Sequence, residues 1–152
     1  MPELDKPTAG AFTGREHRLP VRVYYEDTDF TGLVYHASYI RFFERGRTDA
    51  LRLAGVGHAD LLGRDDPCAF AVTRLVVDYR SAARIDDALT VHTWFEAVNG
   101  PRLVIRQQIT RQGAVVASAE VHAACIRPGG GARRPPADMR EKLRPYLAAP
   151  VS

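Results

Sequence analysis

Lysine is nearly absent from this sequence: Lys6 and Lys142 are the only two, so 19 of the 21 basic residues are arginine. Arginine suits phosphate recognition through its planar fork of donors. A net charge of +3, with the arginines spread along the chain, excludes a basic stripe of the nucleic-acid-binding kind. Cysteine is also scarce. Cys68 and Cys125 are far apart in apolar surroundings, with no C-x-x-C and no His/Cys cluster, so zinc and a disulfide scaffold are both disfavoured. No apolar run reaches the ~20 residues that span a bilayer. The first residues, MPELDKPTAGAFTGREHRLP, lack the charged-then-apolar order of a signal peptide, and a cytoplasmic location is the expectation. There is no internal repeat, no nucleotide-binding glycine fingerprint, and PGGGARRP lacks the Lys-Ser/Thr of a P-loop.

What is present fits one domain of ordinary composition, 45% hydrophobic and 26% charged over 152 residues. Residues 1–18 are rich in Pro, Gly, Thr and charge and read as a flexible leader, with a single domain over 19–148. VRVYYE (21–26) alternates as a strand. Residues 38–55 have helical spacing, with Ile40, Phe43, Arg47, Ala50, Leu51 and Ala54 near one stripe, Ser38 as N-cap and Gly55 as stop.

Four further strands follow, at 69–80, 88–97, 102–111 and 114–126. The first places Ala71, Thr73, Leu75, Val77 and Tyr79 on one face. The last presents a row of small side chains from Ala117 to Cys125, on which a helix could lie close. Asn99-Gly100 and Gln112-Gly113 predict tight turns, hence antiparallel neighbours. The expected architecture is α+β: one long central helix against a five-stranded antiparallel sheet. Trp94 and Val104 on the outer face, with open sheet edges, predict an oligomer joined edge to edge.

The segment YEDTDFTGLVYHASY (25–39) concentrates acids, rings and a histidine just ahead of the helix. Two readings stand. A D-x-D between strand and helix can be turn chemistry and capping. Alternatively, Asp29 could attack an activated carbonyl, or deprotonate a water that does, while unpaired N–H groups at the helix start polarise the carbonyl oxygen. His36 could orient substrate or water, or be a surface residue. Tyr25 could hydrogen-bond the carboxylate, or pack. Glu44 could pair with Arg41 or Arg47, or be an acid facing a cleft. A thioester suits this set, because a thiolate leaves without a strong general acid.

The stretch RVYYEDTDFTGLVYHASYIRFFERGRTDALR (22–52) closely resembles the signature of hotdog-fold acyl-CoA thioesterases. It is most similar to the tol-pal system-associated branch of the 4-hydroxybenzoyl-CoA thioesterase family. The resemblance implies hydrolysis of acyl-CoA to free acid and coenzyme A, by a homodimer or homotetramer that needs no metal or prosthetic group. It places the catalytic carboxylate at Asp29, with Tyr25 and His36 beside it and the N–H at position 36 on the thioester carbonyl. Glu44 is the secondary acid, and Arg127, Arg133 and Arg134 are the weaker candidates for the coenzyme A phosphates. Phe30 stands where the family favours small residues. The alternatives are a hotdog acyl hydratase or dehydratase, which the seven-residue step from Asp29 to His36 disfavours, and a non-catalytic acyl-binding or envelope interaction module.

Overall fold

A computed structural model describes residue 7 and residues 9–149 of the chain. It contains six strands in one antiparallel sheet: β1 (Ala11–Thr13), β2 (Glu16–Arg22), β3 (Ala69–Tyr79), β4 (Ala88–Asn99), β5 (Arg102–Arg111) and β6 (Ala114–Ile126). Their order across the sheet is β1-β2-β4-β5-β6-β3. Helix α1 (His36–Leu53) packs across one face, and two short helices, α2 (His58–Leu62) and α3 (Ala137–Leu143), flank it.

The α+β reading holds, and the strand count becomes six rather than five. Part of the expected leader is structured: Ala11–Thr13 pairs with Glu16–Arg18. Asp49 on α1 holds this hairpin, accepting the Gly10 N–H at 2.9 Å and meeting His17 Nε2 at 2.7 Å. Gly10 is required there, since a Cβ would fall 2.2 Å from the Arg18 carbonyl oxygen. The first long strand is Glu16–Arg22, not 21–26, because Tyr25–Asp27 turns into a 3₁₀ helix.

Helix α1 begins two residues earlier than expected. Tyr35 sits at the N-cap position and Ser38 is buried within the first turn. The predicted stop is correct in kind: Gly55, at φ +93°, follows the last turn and donates to Arg52 O. The buried side of α1 carries Tyr39, Phe42, Phe43, Gly46, Arg47, Ala50 and Leu51, and each large apolar side chain there contributes ~1.5–3 kcal/mol. Close approach to the sheet occurs at Gly46, where a Cβ would stand 2.7 Å from Val91 Cγ1. α1 thus lies over β2, β4 and β5, and the small-residue row of β6 helps to floor a cleft instead.

Strand β3 departs from simple alternation. A bulge between Val72 and Arg74 switches its faces, so Phe70 and Val72 look toward the cleft and Leu75 and Val77 toward the core. β3 is an edge strand of 11 residues that exposes Val72, Val76 and Tyr79. On the outer face Trp94 is covered from within the chain. The Arg106 guanidinium lies 3.9 Å from its ring centroid, and His92 stacks at 5.9 Å. His92 also contacts Glu16 and Thr110, and His122 contacts Glu120. Cys68 and Cys125 are buried free thiols, as read from sequence; burial first, then the adjacent Cys68, pushes Cys125 up to about 12.

Candidate active site

The loop between the 3₁₀ turn and α1 is held by its own backbone. Thr28 bridges Val34, Asp29 N–H donates to Leu33 O at 2.9 Å, and Tyr35 N–H donates to Asp27 O at 2.9 Å. Gly32, at φ +81°, makes the reversal possible. The loop also docks on the segment after β3: Val34 N–H donates to Ala83 O, and Ile85 N–H to Gly32 O. Two tyrosines fasten the helix start. Tyr39 Oη accepts the Ala83 N–H at 2.9 Å, and Tyr79 Oη donates to the His36 carbonyl at 2.9 Å.

The two aspartates of D-x-D have separate fates. Asp27 is 6% exposed and its Oδ2 accepts the Tyr24 N–H at 2.8 Å, closing the 3₁₀ turn. Asp29 is exposed. Its Oδ1 accepts from both Thr31 N–H (2.8 Å) and Thr31 Oγ1 (2.5 Å), and its Oδ2 has no partner among the described residues. Those two Thr31 bonds hold the Asp29 carboxyl below its ordinary value. One oxygen is therefore anchored and the other is available to a ligand or water.

His36 is the first residue of α1, exposed, with its ring edge-on to Tyr35 at 4.4 Å. The backbone N–H groups of His36 and Ala37 have no acceptor among the described residues, as the first turn of a helix dictates. Tyr25 does not bond the Asp29 carboxylate. It opens the 3₁₀ turn with its side chain 83% exposed, and Thr31 takes the position at Oδ1. Phe30 is fully exposed and narrows no pocket within the chain.

Glu44 lies just over two turns further along α1 and makes no ion-pair contact with Arg41 or Arg47 among the described residues. It lines a cleft of about 260 Å³ with Arg47, Thr48 and Leu51 of α1, His58 of α2, and apolar side chains of β3, β5 and β6. Of the two readings of Glu44, the acid facing a cleft is the one observed; the lining by Phe70 and Val72 was not foreseen, because they reach it only through the β3 bulge. The arginines after β6 are apart from Asp29. Arg133 is committed to the Asp66 carboxylate at 2.8 Å, Arg127 reaches Ala132 O at 3.4 Å, and Arg134 contributes its carbonyl to Arg133. They follow Ile126, which pairs with Ala69 at one end of β3, whereas His36 is tied to Tyr79 at the other. Ten residues of strand separate these ends by roughly 33 Å. Among the described residues no cluster of three or more His, Cys, Asp or Glu is set to hold a metal, and no helix is long and apolar enough to cross a membrane.

Comparison with known proteins gives the family. Residues 23–145 match the thioesterase-like superfamily. The acyl-CoA thioesterase YbgC of Haemophilus influenzae is 44% identical over 108 residues, 71% of this chain and 79% of that protein. The acyl-CoA thioester hydrolase YbgC of Escherichia coli O6:H1 is 42% identical over 112 residues, covering 73% and 82%. The crystal structure of a protein described as a probable thioesterase from Bartonella henselae superposes with a TM-score of 0.77 at 36% identity, covering 80% of this chain and 99% of that one. With its long helix laid on an antiparallel sheet and its match across most of its length, the chain belongs to the thioesterase-like superfamily and has the hotdog fold.

Proposed function

We propose that this enzyme hydrolyses acyl-CoA thioesters to the free acid and coenzyme A, with Asp29 as the reacting carboxylate. The observation that carries this reading is the contrast within the acid pair: Asp27 is spent on the turn, while Asp29 keeps an unpartnered oxygen in the loop entering α1. The relatives named acyl-CoA thioesterase supply the substrate class.

In the reaction, a thioester carbonyl oxygen accepts from the free N–H groups of His36 and Ala37. The positive end of the α1 dipole then stabilises the oxyanion as it develops. Asp29 Oδ2 takes a proton from water as water attacks, or attacks the carbonyl carbon itself, in which case water hydrolyses the resulting acyl-aspartyl anhydride after the thiolate has left. Collapse of the tetrahedral adduct breaks the C–S bond. The thiolate leaves readily and takes a proton at or below the ordinary thiol range of ~8.5. His36 borders the same entrance and orients the thioester or the water. Tyr25, standing in solvent, reaches the site only on moving or when another copy covers it.

The cleft and the Asp29 loop lie toward opposite ends of β3 in one chain. Self-pairing of the β3 edge about a two-fold near Arg74 would set the Phe70–Val72 end of one copy beside the Tyr79 end of the other. Asp29 of one copy would then serve the cleft of its partner. This is the reason to expect a dimer as the smallest active unit.

Thiol release from a panel of acyl-CoA substrates tests the proposal. Asp29→Asn is expected to lose about 10²–10⁴-fold of kcat/KM with an unchanged melting temperature. Full turnover by that variant would remove Asp29 from the reaction.

A further inference from the structure

The cleft beside the middle of α1 contains a cation without a contacting counter-ion. Arg47 is only 8% exposed. Its Nη1 donates to Gln107 Oε1 at 3.0 Å. Gln107 is itself locked, because its Nε2 donates to Phe43 O at 2.8 Å and to Thr93 Oγ1 at 2.9 Å, leaving its carbonyl oxygen aimed at Arg47. Gly46 lets this network form by admitting Thr93 and Gln107 against the helix backbone.

A guanidinium has five N–H donors, and a single hydrogen bond engages this one among the described residues. No carboxylate among the described residues lies within ion-pair distance of it. Arg47 lines the cleft, and its unbonded nitrogens are not among the fully enclosed unpartnered side-chain nitrogens of the described residues, which are at His17 and Arg140. Glu44 acts on it through space, and that carboxylate is exposed, where water and salt screen it. His58, at the same cleft, is held toward its neutral form by burial and adds no second cation. The remaining walls, from Leu51, Phe70, Val72, Leu103, Ile105 and Ala123, are apolar.

A desolvated charge is ordinarily paired. An apolar channel with one pre-oriented guanidinium matches a short methylene chain that ends in a carboxylate, which the fork can take by two N–H groups at once. We propose that Arg47 binds the distal carboxylate of the acyl group, so that the preferred substrates are half-thioesters of short dicarboxylic acids. This rests on the thioester hydrolysis proposed above, and it assigns Arg47 as a specificity determinant rather than as a participant in bond breaking.

The test uses the full chain and three acyl-CoA substrates of matched length: glutaryl-CoA, 5-hydroxypentanoyl-CoA and the uncharged near-isostere 5-methylhexanoyl-CoA. The wild type is expected to prefer glutaryl-CoA over 5-methylhexanoyl-CoA by about tenfold to a hundredfold in kcat/KM. Arg47→Met is expected to collapse that ratio toward one or below it, and Arg47→Lys to retain part of it. A merely structural role would lower all three rates together and leave the ratio in place, which would overturn the assignment. A wild-type preference for the methyl or hydroxyl substrate overturns it as well. Should Arg47→Met fail to fold by circular dichroism, the wild-type ranking decides alone. If neither these substrates nor a wider acyl-CoA panel releases thiol, the proposed hydrolysis falls first. If neutral acyl-CoA substrates turn over and glutaryl-CoA does not, only the role of Arg47 falls.

Discussion

The start of α1 and its middle are built on opposite principles. At the start, residues 27–36 are fastened by backbone bonds and short polar side chains, and Asp29, Phe30, Tyr35 and His36 are exposed. In the middle, Gly46, Arg47 and Asp49 are buried; Asp49 is met by His17 and Gly10, and Arg47 by Gln107, which Thr93 holds in place. The first region can change a side chain without losing the fold. The second cannot, because a buried polar group deprived of its partner retains the full cost of its desolvation. The proposed site at Asp29 is therefore marked by what is left unpaired on a backbone-fastened loop, not by the number of acids present.

Four substitutions sharpen this contrast, from the largest effect to the smallest. The Asp29→Asn loss of about 10²–10⁴-fold in turnover is a barrier change of roughly 3–5 kcal/mol. It should leave thermal unfolding at the wild-type midpoint, so a matching fall in Tm would place Asp29 with the structural residues. Gln107→Leu strips the buried Arg47 of its only hydrogen bond among the described residues, and equilibrium urea unfolding should report a loss of about 1.5–3 kcal/mol. Asp49→Ala frees the β1–β2 hairpin by removing the acceptor of Gly10 N–H and His17. A loss of about 1–3 kcal/mol is expected, with hydrogen exchange rising first at Gly10.

Thr31→Val is the smallest change and the most diagnostic. Thr31 holds the Asp29 carboxyl below its ordinary value, so the base remains ionised as pH falls. Losing the hydroxyl raises that value toward normal. The acid limb of the kcat/KM profile should then move to higher pH while the plateau above it is kept. An unmoved limb would detach it from Asp29. The sign for stability is the same: a depressed carboxyl contributes above its unfolded value and loses that contribution as pH drops. At an exposed side chain this part is slight.

Much of the fold could be read from spacing. Residues 88–97 form the expected strand with Trp94 on its outer face, and the opposite face, Leu89, Val91, Thr93 and Phe95, is buried. The β6 row from Ala117 to Cys125 is a buried face as expected, but it helps to floor a cleft rather than seating the long helix. The errors fall where one residue changes the phase. The β3 bulge exchanges the two faces of the strand, so Ala71 and Thr73 were placed with the wrong neighbours. The hairpin at 11–22 was hidden by Pro, Gly and charge, because its support comes from Asp49, 32 residues beyond His17. At the site, the motif singled out Asp29 and His36, and it also suggested a Tyr25 contact that the 3₁₀ turn does not make.

Sequence alone determined the elements and the cluster of reactive residue types, since periodicity, turn chemistry and a contiguous thirty-residue signature are local properties. Which aspartate is spent shows in the folded turn, through bonds to Tyr24 and Thr31 close in sequence, whereas the burial of Arg47 with no contacting carboxylate among the described residues was decided only by tertiary structure. The Arg47 arrangement depends on atoms far apart in the chain, Arg47 and Gln107 being 60 residues apart. Local spacing carries no information about desolvation produced by such distant contacts.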